Sequence, residues 1–368
     1  MTLGNKWRNL FLSLDYKVRV EKMKSVGINE IAERLGISRN TVSKVMNNRG
    51  RVTEKTRNKI IEAAIEMGYS KLPNHLVDTY REEKNSKNIL VIATSPDFSA
   101  FWGDIINGIT GALSSYAYHC FYHFLTFEQE KNFILPKLIE TGNIAGIIVM
   151  NVYHLETIKS IRSLGIPTVY YDLPLSIDAK EAKADVIVVE GRKSVYDLTK
   201  HLLVQGDTKL GFIGDITYCQ SIEARWRGFI EAHEAMNLPI DEAYCLISEE
   251  KGHFYFGNEV EDYLRNLIEH KQDLPQAFIC ANDALAYKII SQLKAYGYKI
   301  PKDIRITGFD DIDRVGEKEL TSVSVPIHYI GIRLAEQLVW RLQHPDRNYE
   351  MIEIHGDIHF RKSSEKID

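Results

Sequence analysis

Apolar and polar positions along the chain fall into three successive patterns. Near the start they recur at helical spacing. Ile28, Ile31, Ala32 and Leu35 form one stripe that stops at Gly36, a residue suited to the left-handed conformation that ends a helix. Val42, Val45 and Met46 form the stripe of a second short helix, with Ser38 as its N-cap. Ile60, Ala63, Ala64 and Met67 form that of a third, which begins after Thr53 and ends before Gly68. Residues 70–87, SKLPNHLVDTYREEKNSK, are polar, carry Pro73 and read as a linker. From Asn88 onward, short runs rich in Ile and Val alternate with helical patterns: NILVIAT (88–94), IAGIIVM (144–150), IPTVYY (166–171), KLGFIGD (209–215), QAFICA (276–281) and IRITGFD (304–310). Runs without polar alternation suit parallel strands buried on both faces, so this part is expected to be α/β, and its length favours two lobes.

Three short helices, two of them joined by a tight glycine turn, make a helix-turn-helix, whose second helix enters the DNA major groove with its first residues against base edges. That geometry gives a purpose to the polar stripe opposite the core-facing one. Arg39, Asn40 and Lys44 can read bases, Arg and Lys toward guanine and Asn toward adenine, while Thr41 and Ser43 can reach phosphate or base. Asn47 continues the stripe. Arg49, Arg51, Thr53, Thr56 and Arg57 suit phosphate clamping, which fixes register without reading sequence. The plainer reading of the same pattern is a small helical bundle with a wet face. Charge weighs against it: residues 1–81 hold 16 Lys/Arg and 8 Asp/Glu, a net of +8, which leaves −12 on residues 82–368 of a chain whose total is −4. A basic head on an acidic body is the footprint of a nucleic-acid-binding module joined to something else.

In open α/β sheets ligands bind beyond the carboxyl ends of the strands. The residues there are polar or aromatic: Ser95 to Trp102, Asp172, Asp215, Asn282-Asp283 and Asp310-Asp311, with an Arg in SIEARWRGF. Carboxylates, amides, one guanidinium and aromatic rings are what a polyhydroxylated ligand needs, since each hydroxyl donates and accepts and the C–H face of a sugar packs on a ring. Asn and Asp in these places also serve as helix N-caps, and for Asn282-Asp283 the two readings stand level.

Composition narrows the classes. Of 368 residues, 44% are hydrophobic and 26% charged, as in ordinary globular proteins. Cys120, Cys219, Cys245 and Cys280 lie far apart with no C-x-x-C pair, so neither a zinc site nor a disulfide framework is expected, and reduced thiols in a cytoplasmic protein are the simplest reading. No run of 18 apolar residues suggests a membrane span. Residues 1–25 form an N-terminal extension that does not resemble a signal peptide; either it is a frayed extension or translation begins at Met23. No G-x-G-x-x-G, Walker A, G-x-S-x-G or H-E-x-x-H is found, so no catalytic residue, metal site or cofactor is expected.

The stretch INEIAERLGISRNTVSKVMNNRGRVTEKTRNKIIEAAIEMGY, from Ile28 to Tyr69, closely resembles the DNA-binding domain of the lactose/galactose repressor family. ICANDALAYKIISQLKAYGYKIPKDIRITGFDDI resembles the same family's effector domain. The resemblance covers nearly all of the chain after residue 26. It implies a helix-turn-helix head (26–70), a hinge (71–87) and a two-lobed effector-binding and dimerisation domain of periplasmic-binding-protein fold (88–368). One lobe would hold about 88–189 and 327–354, the other about 190–326 and 355–368. The family's hinge opens on a Pro-Asn pair and pushes a leucine into the minor groove; here Pro73-Asn74 fits, His75 offers a phosphate contact, and the leucine position holds Tyr80, with Asp78 nearby. Positions matching the family's ligand contacts are Trp102, Asp172, Arg225 in R-x-x-G-F, Phe254 in GHF, Asn282 and Asp310. The sequence departs from the family at Glu190-Gly191, where an Asp-Asn pair is usual, and in the shortened loop at Ser99-Ala100-Phe101-Trp102. The expected protein is a DNA-binding transcription regulator, a repressor controlled by a sugar-like effector, acting as a homodimer on a double-stranded operator. The alternatives are a cytosolic carbohydrate-binding protein with a non-functional head, and an α/β enzyme acting on a sugar.

Overall fold

The computed structural model describes residues 26–47, 49–73, 76–77, 87–94, 100–136, 139, 143–248, 259–270, 274–312 and 319–367. The expectations attached to residues 1–25, Asn74, His75, Asp78, Tyr80, Ser95–Ser99 and Phe254 therefore lie outside the described residues. By contact the chain divides into two compact units, Met1–Ser86 with Thr141–Asn143, and Lys87–Glu140 with Ile144–Asp368.

The first unit carries three helices, α1 (Ile28–Leu35), α2 (Arg39–Met46) and α3 (Glu54–Glu66). Gly36 ends α1 at φ 65°, a left-handed conformation that glycine adopts without steric cost, and its amide closes the last turn. The three apolar stripes meet in one core of Ile31, Ala32, Val42, Val45, Met46, Ile60, Ile61, Ala63 and Ala64. Beyond α3, the amides of Leu76 and Val77 donate to the carbonyl of Pro73, and Leu76 is buried in the same core. The linker sequence thus gives one of its apolar residues to the head.

The second unit is built on two sheets. One contains β1 (Asn88–Thr94), β2 (His119–Leu125), β3 (Gly146–Met150), β4 (Thr168–Tyr171) and β5 (Asp185–Val189). The other contains β6 (Leu210–Ile213), β7 (Ala277–Cys280), β8 (Arg305–Asp310) and β9 (Thr321–Ser324). The chain then returns to add β10 (Met351–Ile354) to the first sheet and crosses once more to add β11 (Asp357–His359) to the second. The strand orders are β10-β5-β4-β3-β1-β2, all parallel, and β11-β9-β8-β7-β6, parallel except for the antiparallel edge strand β11. All six apolar runs of the sequence contain strands. Of the other five strands, four lack such a run for physical reasons. β2 (HCFYHFL) is an edge that mixes exposed and half-buried positions; β9 (TSVS) buries Thr and Ser that find hydrogen-bond partners; β10 and β11 are short edges. The fifth, β5 (DVIVV), is apolar and fully buried and carries the same signal as the six runs.

Helices follow between strands: α4 (Ala100–Ser115), α5 (Phe127–Lys131), α6 (Leu155–Ser163), α7 (Ala179–Ala182), α8 (Arg192–Val204), α9 (Gln220–Ala235), α10 (Glu259–His270), α11 (Asp283–Ala295) and α12 (Ile327–Gln343). The return segment is fixed by one buried ion pair. Arg341 of α12 donates to both oxygens of Asp185 on β5, at 2.9 and 2.6 Å, and to the carbonyls of Arg347 and Asn348; Gln337 and the amide of Glu350 complete the carboxylate's shell. This cluster orders the loop that delivers β10 beside β5.

Candidate DNA interface and ligand cleft

On α2, burial divides the residues as the two stripes require. Val42, Val45 and Met46 are buried, Arg39, Asn40, Lys44 and Asn47 are exposed, and Thr41 and Ser43 are half-buried. Local hydrogen bonds shape this surface. Ser38 Oγ accepts from the amide of Thr41 at 3.1 Å and lies 2.8 Å from the Thr41 hydroxyl. Asn47 Nδ2 donates to the carbonyl of Ser43 at 2.8 Å, so in the free protein this amide closes the helix end rather than extending outward. Thr53 precedes α3, but its hydroxyl pairs with that of Thr56 at 2.8 Å and makes no bond to the helix backbone. Arg49 and Arg51 are exposed and Arg57 half-buried. The start of α2 thus holds Arg39 and Asn40 exposed, and Arg49, Arg51 and Arg57 follow it in the chain.

The second site forms where the strands of both sheets end. Phe101, Trp102, Asn151, Tyr153, Tyr171 and Asp172 from the first sheet's side face Tyr218, Cys219, Ser221, Arg225, Asn282 and Asp310 from the second's. Five of the six sequence-predicted effector residues, Trp102, Asp172, Arg225, Asn282 and Asp310, therefore line one cleft; Phe254 is outside the described residues. Three cleft residues hold positive φ without being glycine: Asn151 at 54°, Asp172 at 63° and Asp310 at 101°. Such conformations cost free energy and gather where side chains must be aimed at a ligand.

Each polar group is held differently. Asp172 Oδ1 accepts from the amide of Leu173 at 2.7 Å and Oδ2 from that of Ser221 across the cleft at 3.3 Å; burial raises its pKa. Asn282 caps α11, its Oδ1 accepting from the amide of Leu285 at 2.9 Å, and it also lines the cleft. Asp283 points away, accepting from Ser322 Oγ and the amide of Ile312, both at 2.7 Å, and burial lifts its pKa to about 7. Asp311 is paired with Arg361 and His359 at the β11 edge, and Asp215 closes a turn with Thr217; neither lines the cleft.

Arg225, on α9, donates to the carbonyl of Ala281, and its guanidinium carbon lies 3.6 Å from the ring centre of Phe309. Its Nη2 is 3.9 Å from Asp310 Oδ1. Burial pushes Asp310 up to about 7, against the lowering pull of that arginine. The Glu190-Gly191 departure has its explanation here. Glu190 caps α8, its Oε2 accepting from Ser194 N at 3.0 Å and Ser194 Oγ at 2.8 Å. Gly191 leaves room for the arginine stem, since a Cβ there would lie 2.7 Å from Arg225 Cγ.

Sequence reasoning missed the link between the two sides. The loop before α9 and the first residue of that helix bridge them: Tyr218 donates to Asn151 Oδ1 at 3.0 Å, its ring meets Tyr153 at 4.5 Å, and Gln220 donates to the carbonyls of Pro174 and Ile177 at 3.0 and 2.8 Å. Asn151 and Tyr153 follow β3, and inspection of every strand end would have found them. Trp102 packs edge-on against Phe101 at 5.0 Å and Tyr171 at 5.9 Å, forming the aromatic wall. Among the described residues no group of His, Cys, Asp and Glu could hold a metal ion, and no helix is long and apolar enough to cross a membrane.

Comparison with known proteins agrees with this architecture. Residues 27–74 match the bacterial regulatory proteins of the lacI family, and residues 199–364 match a periplasmic binding protein-like domain. The HTH-type transcriptional repressor PurR of Vibrio vulnificus is 25% identical over 351 residues, covering 92% of this chain and 99% of its own. The NTD biosynthesis operon regulator NtdR of Bacillus subtilis is 26% identical over 323 residues, covering 86% and 91%. In fold the chain is similar to a transcriptional regulator CelR–cellobiose complex, with TM-score 0.66 and 20% identity over 92% of this chain and 99% of that one. The lacI-family match over the three-helix head, the periplasmic-binding-protein-like match over the body and the similar regulators that cover nearly the whole chain place it in the lacI family of bacterial regulatory proteins, which are DNA-binding transcription regulators and not enzymes.

Proposed function

We propose that the protein is a repressor whose hold on operator DNA is set by a carbohydrate-type effector bound in the cleft. The observation that carries this reading is the convergence of Trp102, Asp172, Arg225, Asn282 and Asp310, residues scattered over some 200 positions, on one cavity with an aromatic wall. Carboxylates and an amide suit hydroxyls, and the rings suit a sugar's C–H face. One structural neighbour, CelR, is a complex with cellobiose, which is in keeping with it.

Residues 26–70 serve as the DNA-binding domain, 71–87 as the hinge and 88–368 as the effector and dimerisation domain. Arg39, Asn40 and Lys44 read bases, Ser38, Thr41, Ser43 and Asn47 shape and support that surface, and Arg49, Arg51, Thr53, Thr56 and Arg57 hold phosphates. Two copies acting together require a near-palindromic operator with half-sites one helical turn, or a multiple, apart. The exposed rings of Phe121 and Phe124 on the edge strand β2, and of Tyr116 in the turn before it, suit contact with a second copy. Such a regulator works in the cytoplasm, where its DNA is. The test is a gel shift on the upstream region of its own gene, with and without candidate sugars, alongside the mass in solution. A protein that binds sugar but no DNA at low salt would instead be a carbohydrate-binding protein with a silent head.

A further inference from the structure

We propose that the effector is a polyol carrying a protonated amine, an amino sugar, with its ammonium against Asp310. This deepens the carbohydrate reading of the cleft and rests on it.

The two cleft carboxylates differ in what they already hold. Asp172 is occupied by the amides of Leu173 and Ser221. Asp310, only 9% exposed, accepts no hydrogen bond from any described residue. Its nearest cation, Arg225 Nη2, stands at 3.9 Å, beyond hydrogen-bond reach. That guanidinium is already engaged by the Ala281 carbonyl and the Phe309 ring. A nearly buried carboxylate without donors is costly unless a ligand supplies them. Arg225 Nε, also buried, has no partner among the described residues, and it needs an acceptor. The ligand must therefore present a donor toward Asp310 and an oxygen toward Arg225, as neighbouring amine and hydroxyl groups on one ring do.

Charge and aromatic character then choose among donors. Among the described cleft residues there are two carboxylates, Asp172 and Asp310, and one guanidinium, with the carboxylate of Asp283 close behind Asp310. A neutral sugar leaves the negative charge of any of these carboxylates that ionises uncompensated, and a phosphate adds to it. An ammonium compensates it and makes a charge-assisted hydrogen bond, the stronger kind. Trp102, Phe101, Tyr171, Tyr153 and Tyr218 line the same space, and the faces of aromatic rings attract cations.

The experiment uses the full chain at neutral pH, with binding read by calorimetry and melting shift. The probes are glucosamine, galactosamine and mannosamine, each compared with its parent hexose and its N-acetyl derivative, and with glucose 6-phosphate. We expect at least one amine to bind tenfold or more tighter than both its parent and its N-acetyl form, and the phosphate to bind worst. Asp310→Asn should bring the amine within about twofold of the parent hexose, and Asp310→Glu should keep the preference. A parent or N-acetyl sugar binding as tightly as the amine would overturn the amino-sugar assignment and leave the carbohydrate function intact. No binding by any probe would overturn both. The wild-type comparison decides the ligand class even if a variant fails to fold, and a preference surviving in folded Asp310→Asn would remove Asp310 as the ammonium's partner.

Discussion

The head and the body place their candidate site residues in opposite ways. On the head, Arg39, Asn40 and Lys44 lie within six positions of one helix, exposed, with core residues directly behind them. In the body, Trp102, Asp172, Arg225, Asn282 and Asp310 come from five separate elements and are almost entirely buried. The head presents charge to a partner that brings its own compensating phosphates. The body holds charge away from water, where each group must be paired internally or by a ligand. A substitution on the head should therefore change recognition and leave stability alone, whereas one in the body should often change both.

The largest effect should come from the body's buried ion pair. Asp185→Ala leaves Arg341 uncompensated at 3% exposure and should cost about 3–5 kcal/mol in urea unfolding. A loss below about 1 kcal/mol would mean that the body does not rely on this cluster.

Next is Arg225→Ala, which empties the space beside Gly191 and removes the cation nearest Asp310. Effector affinity should fall by about 10- to 100-fold, about 1.4–2.7 kcal/mol, while operator affinity without effector stays as in the wild type. Unchanged effector affinity by calorimetry would take Arg225 out of the site.

On the head, Arg39→Ala and Asn40→Ala should each cost about 1–3 kcal/mol at particular base pairs, and Arg57→Ala should weaken all sequences alike and flatten the salt dependence. Binding-site selection separates the two outcomes, and an even loss on every sequence for Arg39→Ala would break the groove assignment.

A subtler contrast concerns pH. The Asp310 pKa is raised to about 7 from an ordinary 3.8, so the folded state holds a proton that the unfolded state releases. Its stabilising contribution is complete below about pH 4 and is lost as pH rises toward about 7. Relative to Asp310→Asn, the ligand-free wild type should thus be more stable at pH 5 than at pH 8. Melting curves of the two proteins across that range would show it, and a constant difference would contradict a buried, proton-holding Asp310.

The smallest effect is expected at the head's surface pair, Arg34 with Glu66, each about half exposed. Arg34→Ala should change unfolding by less than about 1 kcal/mol.

How much of this was legible depended on the range of the interactions involved. Helical stripes, caps and the Gly36 turn are set by residues three or four apart, so α1 to α3 and the outward stripe could be read directly. Long Ile and Val runs announced six buried strands. β2 and β9 could not be read that way: an edge strand needs no apolar run, and the Thr and Ser of β9 are tolerated inside only because Ser363, Ser364, Asp283 and Arg361 meet them there.

By itself the sequence determined a basic helical head with an outward polar stripe, an acidic α/β body and a set of polar residues at strand ends. It did not determine which of those polar residues act together. Asp172, Asp310 and Asp311 look alike in the chain, yet one is held by backbone amides across the cleft, one faces the cleft without a donor among the described residues, and one is paired with Arg361 outside it. Only the tertiary structure made that division. A carboxylate's role follows from its burial and the donors around it, and apart from the adjacent amide of Leu173 those donors come from segments about fifty residues away.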